Sequence, residues 1–95
     1  MITDYSEDFT LPPEVVQKYV TRRFNDVEVC WSAIKNNDFI KVAELAHQMK
    51  GNGSSFGFPL ITEIGGELEV AAKSSDVEKI NNHLEKLQHF LNSVK

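Results

Sequence analysis

The chain has 95 residues, of which 41% are hydrophobic and 25% are charged, a composition typical of one small soluble globular domain rather than a disordered tail. A formal net charge of −4 argues against a surface for nucleic acid or anionic membranes, because phosphate binding requires clustered Lys and Arg side chains. This composition therefore favours proteins as partners.

The chain begins with the acidic segment MITDYSEDF, which lacks the basic and apolar regions of a signal peptide. The single cysteine, Cys30, excludes an internal disulfide and fits a reducing compartment, so the sequence predicts a cytoplasmic protein. No apolar run approaches the ~20 residues that a membrane helix requires. Residues 1–11 leave two alternatives, a lightly packed arm or a short extra helix. The apolar side chains that would cover one end of the fold are Tyr5, Phe9 and Leu11.

Two helices are predicted in the first half of the chain. The first covers residues 13–35, because the Pro12-Pro13 pair suits a helix start and apolar residues then recur at steps of three and four. These residues are Val16, Val20, Phe24, Val27, Trp31 and Ile34. The second helix covers residues 38–56, is capped by Asn37 or Asp38, and is ended by Gly57. Its inward stripe consists of Phe39, Val42, Ala43, Ala46, Met49, Gly53 and Phe56.

Two further helices are predicted over residues 59–73 and 76–94. Pro59 suits the start of the third helix, and Ser75-Asp76-Val77-Glu78 matches a capping box at the start of the fourth. The inward residues are Ile61, Ile64, Leu68 and Ala71, then Val77, Ile80, Leu84, Leu87, Leu91 and Val94. Short connections make consecutive helices antiparallel, so the sequence predicts an all-α, up-down antiparallel four-helix bundle that forms one domain over residues 1–95.

His47 lies on the second helix beside the inward stripe, where its ring is expected to meet solvent. A glycine within a helix costs roughly 0.5–1 kcal/mol relative to alanine, yet Gly51 and Gly53 follow directly. Gly53 lies on the inward stripe, where it allows two helices to approach. Gly51 lies one turn beyond His47 on the outer flank, and the approach of a second protein explains it better than helix packing does.

An exposed imidazole with an ammonium three residues away, on Lys50, suits a nucleophile that takes up a phosphoryl group from another macromolecule. The alternative is that His47 is an ordinary solvated residue, as most isolated histidines on helix flanks are. The other two histidines, His83 and His89, are six residues apart and cannot form a metal pair on one helical face, so they are expected to be solvated and no metal site is predicted. Cys30 is expected to be a small core or boundary residue.

Three stretches of the sequence belong together: A-H-Q-M-K-G at residues 46–51, G-S-S-F-G at residues 53–57, and Glu67-Leu68-Glu69. Together they resemble the signature of histidine-containing phosphotransfer (HPt) domains. That family is also a four-helix bundle of about this length, with the motif on its second helix, so the resemblance covers nearly the whole chain. The resemblance implies that His47 accepts and donates a phosphoryl group, that Lys50 helps to hold the phosphate, and that Gly51 leaves room for the partner.

The implied partners are the receiver domain of a response regulator and a sensor or hybrid histidine kinase. Mg²⁺ is expected on the receiver, whereas this chain is expected to have no cofactor of its own and no autonomous kinase or phosphatase activity. A monomer is expected, since no large apolar face is left uncovered. The residues expected to contact the partner are Ile40, Glu44, Gln48, Ser54 and Ser55.

One departure from the family concerns what orients the ring of His47. Some members place a glutamine early in the third helix for this purpose, and here Pro59 falls at that point. A main-chain carbonyl, a water or Glu63 then remains to take that role. The departure also leaves a second function open, namely an interaction module that docks a receiver or kinase without carrying phosphate.

Overall fold

The computed structural model describes residues 11–95. It contains four α-helices and one short 3₁₀-helix: α1 (Pro13–Lys35), α2 (Phe39–Asn52), the 3₁₀-helix (Ser54–Phe56), α3 (Pro59–Lys73) and α4 (Val77–Val94). The predictions about an N-terminal arm or extra helix, and about Tyr5 and Phe9, lie outside the described residues.

The four helices form an up-down antiparallel bundle. Helix α1 packs against α2 and α4, and α3 packs against the same two helices, with the most extensive contact between α2 and α3. The prediction of an all-α four-helix bundle is therefore confirmed. None of the helices found between residues 11 and 95 combines the length and the apolar character needed to cross a membrane.

The starts of α2 and α4 are fixed by aspartate caps. The side chain of Asp38 accepts a hydrogen bond from the backbone N–H of Lys41 at 3.1 Å, and Asp76 accepts one from Lys79 at the same distance. Each cap satisfies one of the backbone donors that the first turn leaves unpaired. The predicted capping box at Ser75 is wrong, because Asp76 is the cap and Ser75 lies before it with a left-handed φ of 54°.

Helix α2 ends at Asn52, four residues earlier than the sequence predicts. The backbone N–H of Ser54 donates to Oγ1 of Thr62 at 2.8 Å, where a continuing α-helix would direct it to the carbonyl four residues back. The chain then forms the 3₁₀-helix, which ends at Gly57 with a left-handed φ of 91°. Gly57 thus ends the segment as predicted, but a hydrogen bond from α3 replaces the last turn of the α-helix.

The core consists of two clusters of buried residues stacked along the bundle. The first contains Cys30, Ala33, Val42, Ala46, Leu68, Ala71, Ala72, Ile80 and Leu84. The second contains Tyr19, Val20, Val27, Met49, Ile61, Ile64, Leu87 and Leu91. Ala46 and Met49 belong to α2, so the turn that carries His47 is held by both clusters. The fully buried side chain of Met49 alone contributes about 1.5–3 kcal/mol of burial free energy, and close packing around it makes this turn a rigid support.

Candidate functional site

His47 lies on the outer flank of α2, and its side chain is 71% exposed, as its spacing from the inward stripe predicts. Its neighbours Ala46 and Met49 are fully buried. Because a helix turns by about 100° per residue, burying residues 46 and 49 directs the ring at position 47 toward solvent. The side chain is therefore exposed, while the backbone that supports it is fixed.

The ring of His47 is oriented by Glu69 of α3. Its Nδ1 lies 3.1 Å from Oε2 of Glu69, within hydrogen-bond distance. An ionised carboxylate only accepts hydrogen bonds, so this contact assigns the ring proton to Nδ1 and leaves the lone pair on Nε2. Nε2 has no hydrogen-bond partner among the side chains and backbone of residues 11–95.

The side chain of Glu69 is only 11% exposed, and its carboxylate lies among positive groups. Its Oε2 is 3.3 Å from Nζ of Lys73, and its Oε1 is 3.8 Å from Nζ of Lys50. Burial raises the pKa of the Glu69 carboxyl, but the ammonium of Lys73 and the ring of His47 oppose this, and the pKa lies below its ordinary value. Glu69 is therefore ionised at neutral pH and available as an acceptor.

Two glycines allow α2 and α3 to approach closely beneath this site. A Cβ atom at Gly65 of α3 would lie 2.7 Å from the backbone N of Lys50 and 2.9 Å from the carbonyl O of Ala46. A Cβ atom at Gly53 would lie 2.5 Å from the backbone N of Thr62. Side chains at these positions would force the helices apart. The expected role of Gly53 in helix approach is thus seen in the structure, and Gly65 has the same role.

Gly51 has no such neighbour. A Cβ atom at this position would have no described atom within 4 Å apart from those of its chain neighbours and of the surrounding backbone of α2. The glycine is exposed and lies on the turn of α2 that follows His47. Packing within the described chain therefore gives no reason for it.

The residues predicted to meet a partner are all exposed, and three of them line one groove. An open groove beside His47 is lined by Ile40, Ala43, Glu44, His47, Gln48, Glu69 and Lys73. Ile40 is 75% exposed, which is unusual for a large aliphatic side chain. Ser54 and Ser55 lie in the 3₁₀-helix outside this groove, and the hydroxyl of Ser54 is 3.2 Å from Oγ1 of Thr62.

Sequence reasoning missed the role of Glu69. Glu63 was one of three alternatives for orienting the ring, together with a main-chain carbonyl and a water, but the side chain that contacts Nδ1 is Glu69. The turn at residues 57–58 could have indicated the contact between His47 and Glu69. Counting outward from it by nearly equal numbers of residues pairs Gly53 with Thr62 and His47 with Glu69, as antiparallel packing requires.

The other two histidines and the cysteine differ in how far they are buried. His83 is half-buried rather than solvated, with Nδ1 3.6 Å from Oε1 of Glu67, which corrects the expectation. His89 is exposed. Cys30 is fully buried in the core, and burial raises the pKa of its thiol to about 12. Across residues 11–95, no three His, Cys, Asp or Glu side chains come together as metal ligands would.

Comparison with known families agrees with this geometry. The model of one family, described as the Hpt domain, matches residues 14–95, which include all four helices. Neither a curated protein nor a solved structure matches the chain.

Proposed function

The chain belongs to the Hpt domain family, whose members take part in histidine phosphotransfer in two-component signalling, and we propose that His47 is its phosphoryl-carrying residue. The observation that carries this proposal is the ring of His47, which is 71% exposed while its Nδ1 lies 3.1 Å from Glu69. This arrangement leaves Nε2 as an accessible nucleophile on a rigid support.

The proposed reaction begins with an aspartyl phosphate on a receiver domain. The lone pair of His47 Nε2 forms a bond to phosphorus as the bond from phosphorus to the aspartate oxygen breaks, and that electron pair returns to the carboxylate. The proton on Nδ1 stays in place, so the ring acquires a positive charge that faces the carboxylate of Glu69. The reverse step passes the phosphoryl group to an aspartate on another receiver.

Lys50 is proposed to stabilise the transferred phosphoryl group. Its side chain is 55% exposed and lies one turn beyond His47, and its contact with Glu69 is loose at 3.8 Å. An ammonium that is only weakly paired can turn toward an incoming phosphate at little cost. Gly51, which lies beside Lys50, is proposed to give the receiver access to the ring.

The partner is proposed to supply the remaining chemistry. Hpt domains work with receiver domains and histidine kinases in phosphorelays. Phosphoryl transfer depends on in-line positioning and on neutralising charge, and Mg²⁺ with its acidic ligands is proposed to come from the receiver. This chain is then a carrier without kinase or phosphatase activity of its own.

The proposal is tested with a panel of receiver domains, each labelled on its aspartate by a small acyl phosphate in the presence of Mg²⁺. Incubation with this protein should produce a label that is labile in acid and stable in alkali, as expected of phosphohistidine. His47→Gln should abolish the label. His89→Gln, which changes another exposed histidine, should retain it.

The alternative, an interaction module, predicts a different result in the same experiment. In that case the protein binds a receiver with measurable affinity but acquires no label from any member of the panel. A label that persists in His47→Gln would instead place the phosphoryl group on a different residue and contradict the proposal.

A further inference from the structure

A third side chain, Lys73 of α3, contacts the carboxylate of Glu69 that holds the ring of His47. Oε2 of Glu69 lies 3.1 Å from Nδ1 of His47 and 3.3 Å from Nζ of Lys73. Both groups therefore meet the same carboxylate oxygen. Lys50 faces the other oxygen, Oε1, from the greater distance of 3.8 Å.

The position of Lys73 on α3 favours this contact. It lies four residues after Glu69, and a glutamate followed at this spacing by a lysine is the more favourable order for an ion pair on a helix. The ammonium also lies toward the C-terminal end of α3, where a cation is stabilised by the helix dipole. Lys73 can therefore hold the carboxylate of Glu69 without support from any other helix.

The carboxylate requires such an anchor. A glutamate side chain has three rotatable bonds, and only one placement of its carboxylate directs Oε2 to the ring of His47 on the neighbouring helix. Glu69 is nearly buried at 8% exposure, so a lost partner is not fully replaced by water. Lys73 itself is 69% exposed, which means that the fold gains little from it.

We propose that Lys73 is a positioning residue for phosphotransfer, which acts by holding Glu69 so that the ring of His47 keeps its proton on Nδ1 and presents Nε2. The inference rests on the proposed function of His47 and adds a residue to it. Lys73 lines the groove beside His47, but its role is exercised through the carboxylate rather than through the phosphoryl group.

The first experiment measures the ring tautomer without any phosphate. The ¹⁵N chemical shifts of the two His47 ring nitrogens, which report the tautomer directly, are recorded at about pH 8. In Lys73→Met, the ratio of the Nδ1-protonated to the Nε2-protonated form should fall by about two- to fivefold, the range expected for loss of an exposed ion pair. Lys73→Arg should restore the ratio. Lys86→Met, at an exposed lysine of α4, should leave it unchanged.

The second experiment measures the rate of phosphoryl transfer from a labelled receiver. Lys73→Met should slow transfer by about two- to fivefold at an unchanged melting temperature, and Lys73→Arg should transfer at close to the wild-type rate. In a Glu69→Gln background the same lysine substitution should have no further effect, because the two residues act as one unit.

Different failures point to different conclusions. An unchanged tautomer ratio in Lys73→Met overturns the role of Lys73, even if wild type transfers phosphate normally. An equal slowing in the Glu69→Gln background also overturns it, since Lys73 would then act on the receiver or the phosphate. A wild-type protein that never acquires label refutes the proposed function, while the tautomer ratio still decides whether Lys73 positions the ring.

Discussion

The two flanks of α2 beside His47 differ in how closely other atoms approach the helix. On the flank that faces α3, a Cβ atom at Gly65 would lie 2.7 Å from the backbone of Lys50. On the solvent flank, a Cβ atom at Gly51 would contact no other helix of the described residues within 4 Å. The first flank holds Nδ1 of the His47 ring through Glu69, and the second carries the exposed Gly51 one turn beyond His47.

Glycine serves a different purpose at each of these two positions. Each helical glycine costs about 0.5–1 kcal/mol relative to alanine. At Gly65 the cost is offset within the chain, because it permits backbone contact between two helices. At Gly51 the described chain offers no such compensation, which is what a surface reserved for a partner would show. Substitutions at the two sites should therefore separate stability from transfer.

The largest effect is expected at Gly65. Gly65→Ala should lower the free energy of unfolding by about 1–2 kcal/mol, because the strain of overpacking exceeds the gain in helix propensity. It should also slow transfer, since moving α3 away displaces Glu69 from His47. Urea denaturation measures the first effect. Gly66→Ala is the matched control, because its Cβ would lie at an ordinary 3.7 Å from Cδ of Lys50, and equal stabilities of the two variants would contradict the close approach.

The next largest effect is expected at Gly51, on the solvent flank of α2. Gly51→Leu should raise the free energy of unfolding by about 0.5–1 kcal/mol through helix propensity, yet slow transfer by about tenfold or more, because the side chain blocks the receiver. Single-turnover transfer and urea denaturation measure the two effects. Gly51→Ala should give the same stabilisation with most of the rate retained. An unchanged rate in Gly51→Leu would remove the proposed reason for this glycine.

A smaller effect is expected at Lys50, which lies between the two flanks. Lys50→Ala should slow transfer by about five- to tenfold, because one charge-assisted contact to the phosphoryl group is lost. Its free energy of unfolding should change by no more than about 0.5 kcal/mol, since the side chain is 55% exposed. Thermal unfolding is recorded beside the transfer rate, with Lys79→Ala on α4 as the control. A loss of stability that matches the loss of rate would make Lys50 structural.

The smallest effect concerns pH. The pKa of Glu69 is lower in the folded chain than its ordinary value of 4.5, so its ionisation stabilises the fold above that pH, and this contribution is lost as the pH falls through the folded pKa. Glu69→Gln should therefore lose less stability than wild type between about pH 5 and pH 3. Urea midpoints at several pH values test this, and Glu85→Gln, at an exposed glutamate, should behave like wild type.

Much of the fold could be predicted from local patterns. The starts of α1 and α3 were predicted from Pro13 and Pro59, because a proline at the first helical position is a strong local signal. The early end of α2 was not predicted, because it depends on a hydrogen bond between Ser54 and Thr62. Such a bond joins residues that are brought together only when α3 packs against α2.

In the candidate site, too, some features could be predicted from local patterns, whereas others depend on how the helices pack. The exposure of His47 and the vacant flank at Gly51 follow from positions along one helix, which periodicity describes. Glu69 and Lys73 contact the ring or its carboxylate from another helix, so their roles depend on the register between α2 and α3. That register follows from the turn at residues 57–58 and from the close contacts at Gly53 and Gly65.

His47 and Glu69 belong to different helices, and tertiary packing alone brings them together. When α3 moves away from α2, the ring of His47 loses its contact with Glu69 and is free to rotate and to move its proton to the other nitrogen. The proposed phosphotransfer should therefore depend on the packing of α3 against α2 as much as on His47 itself.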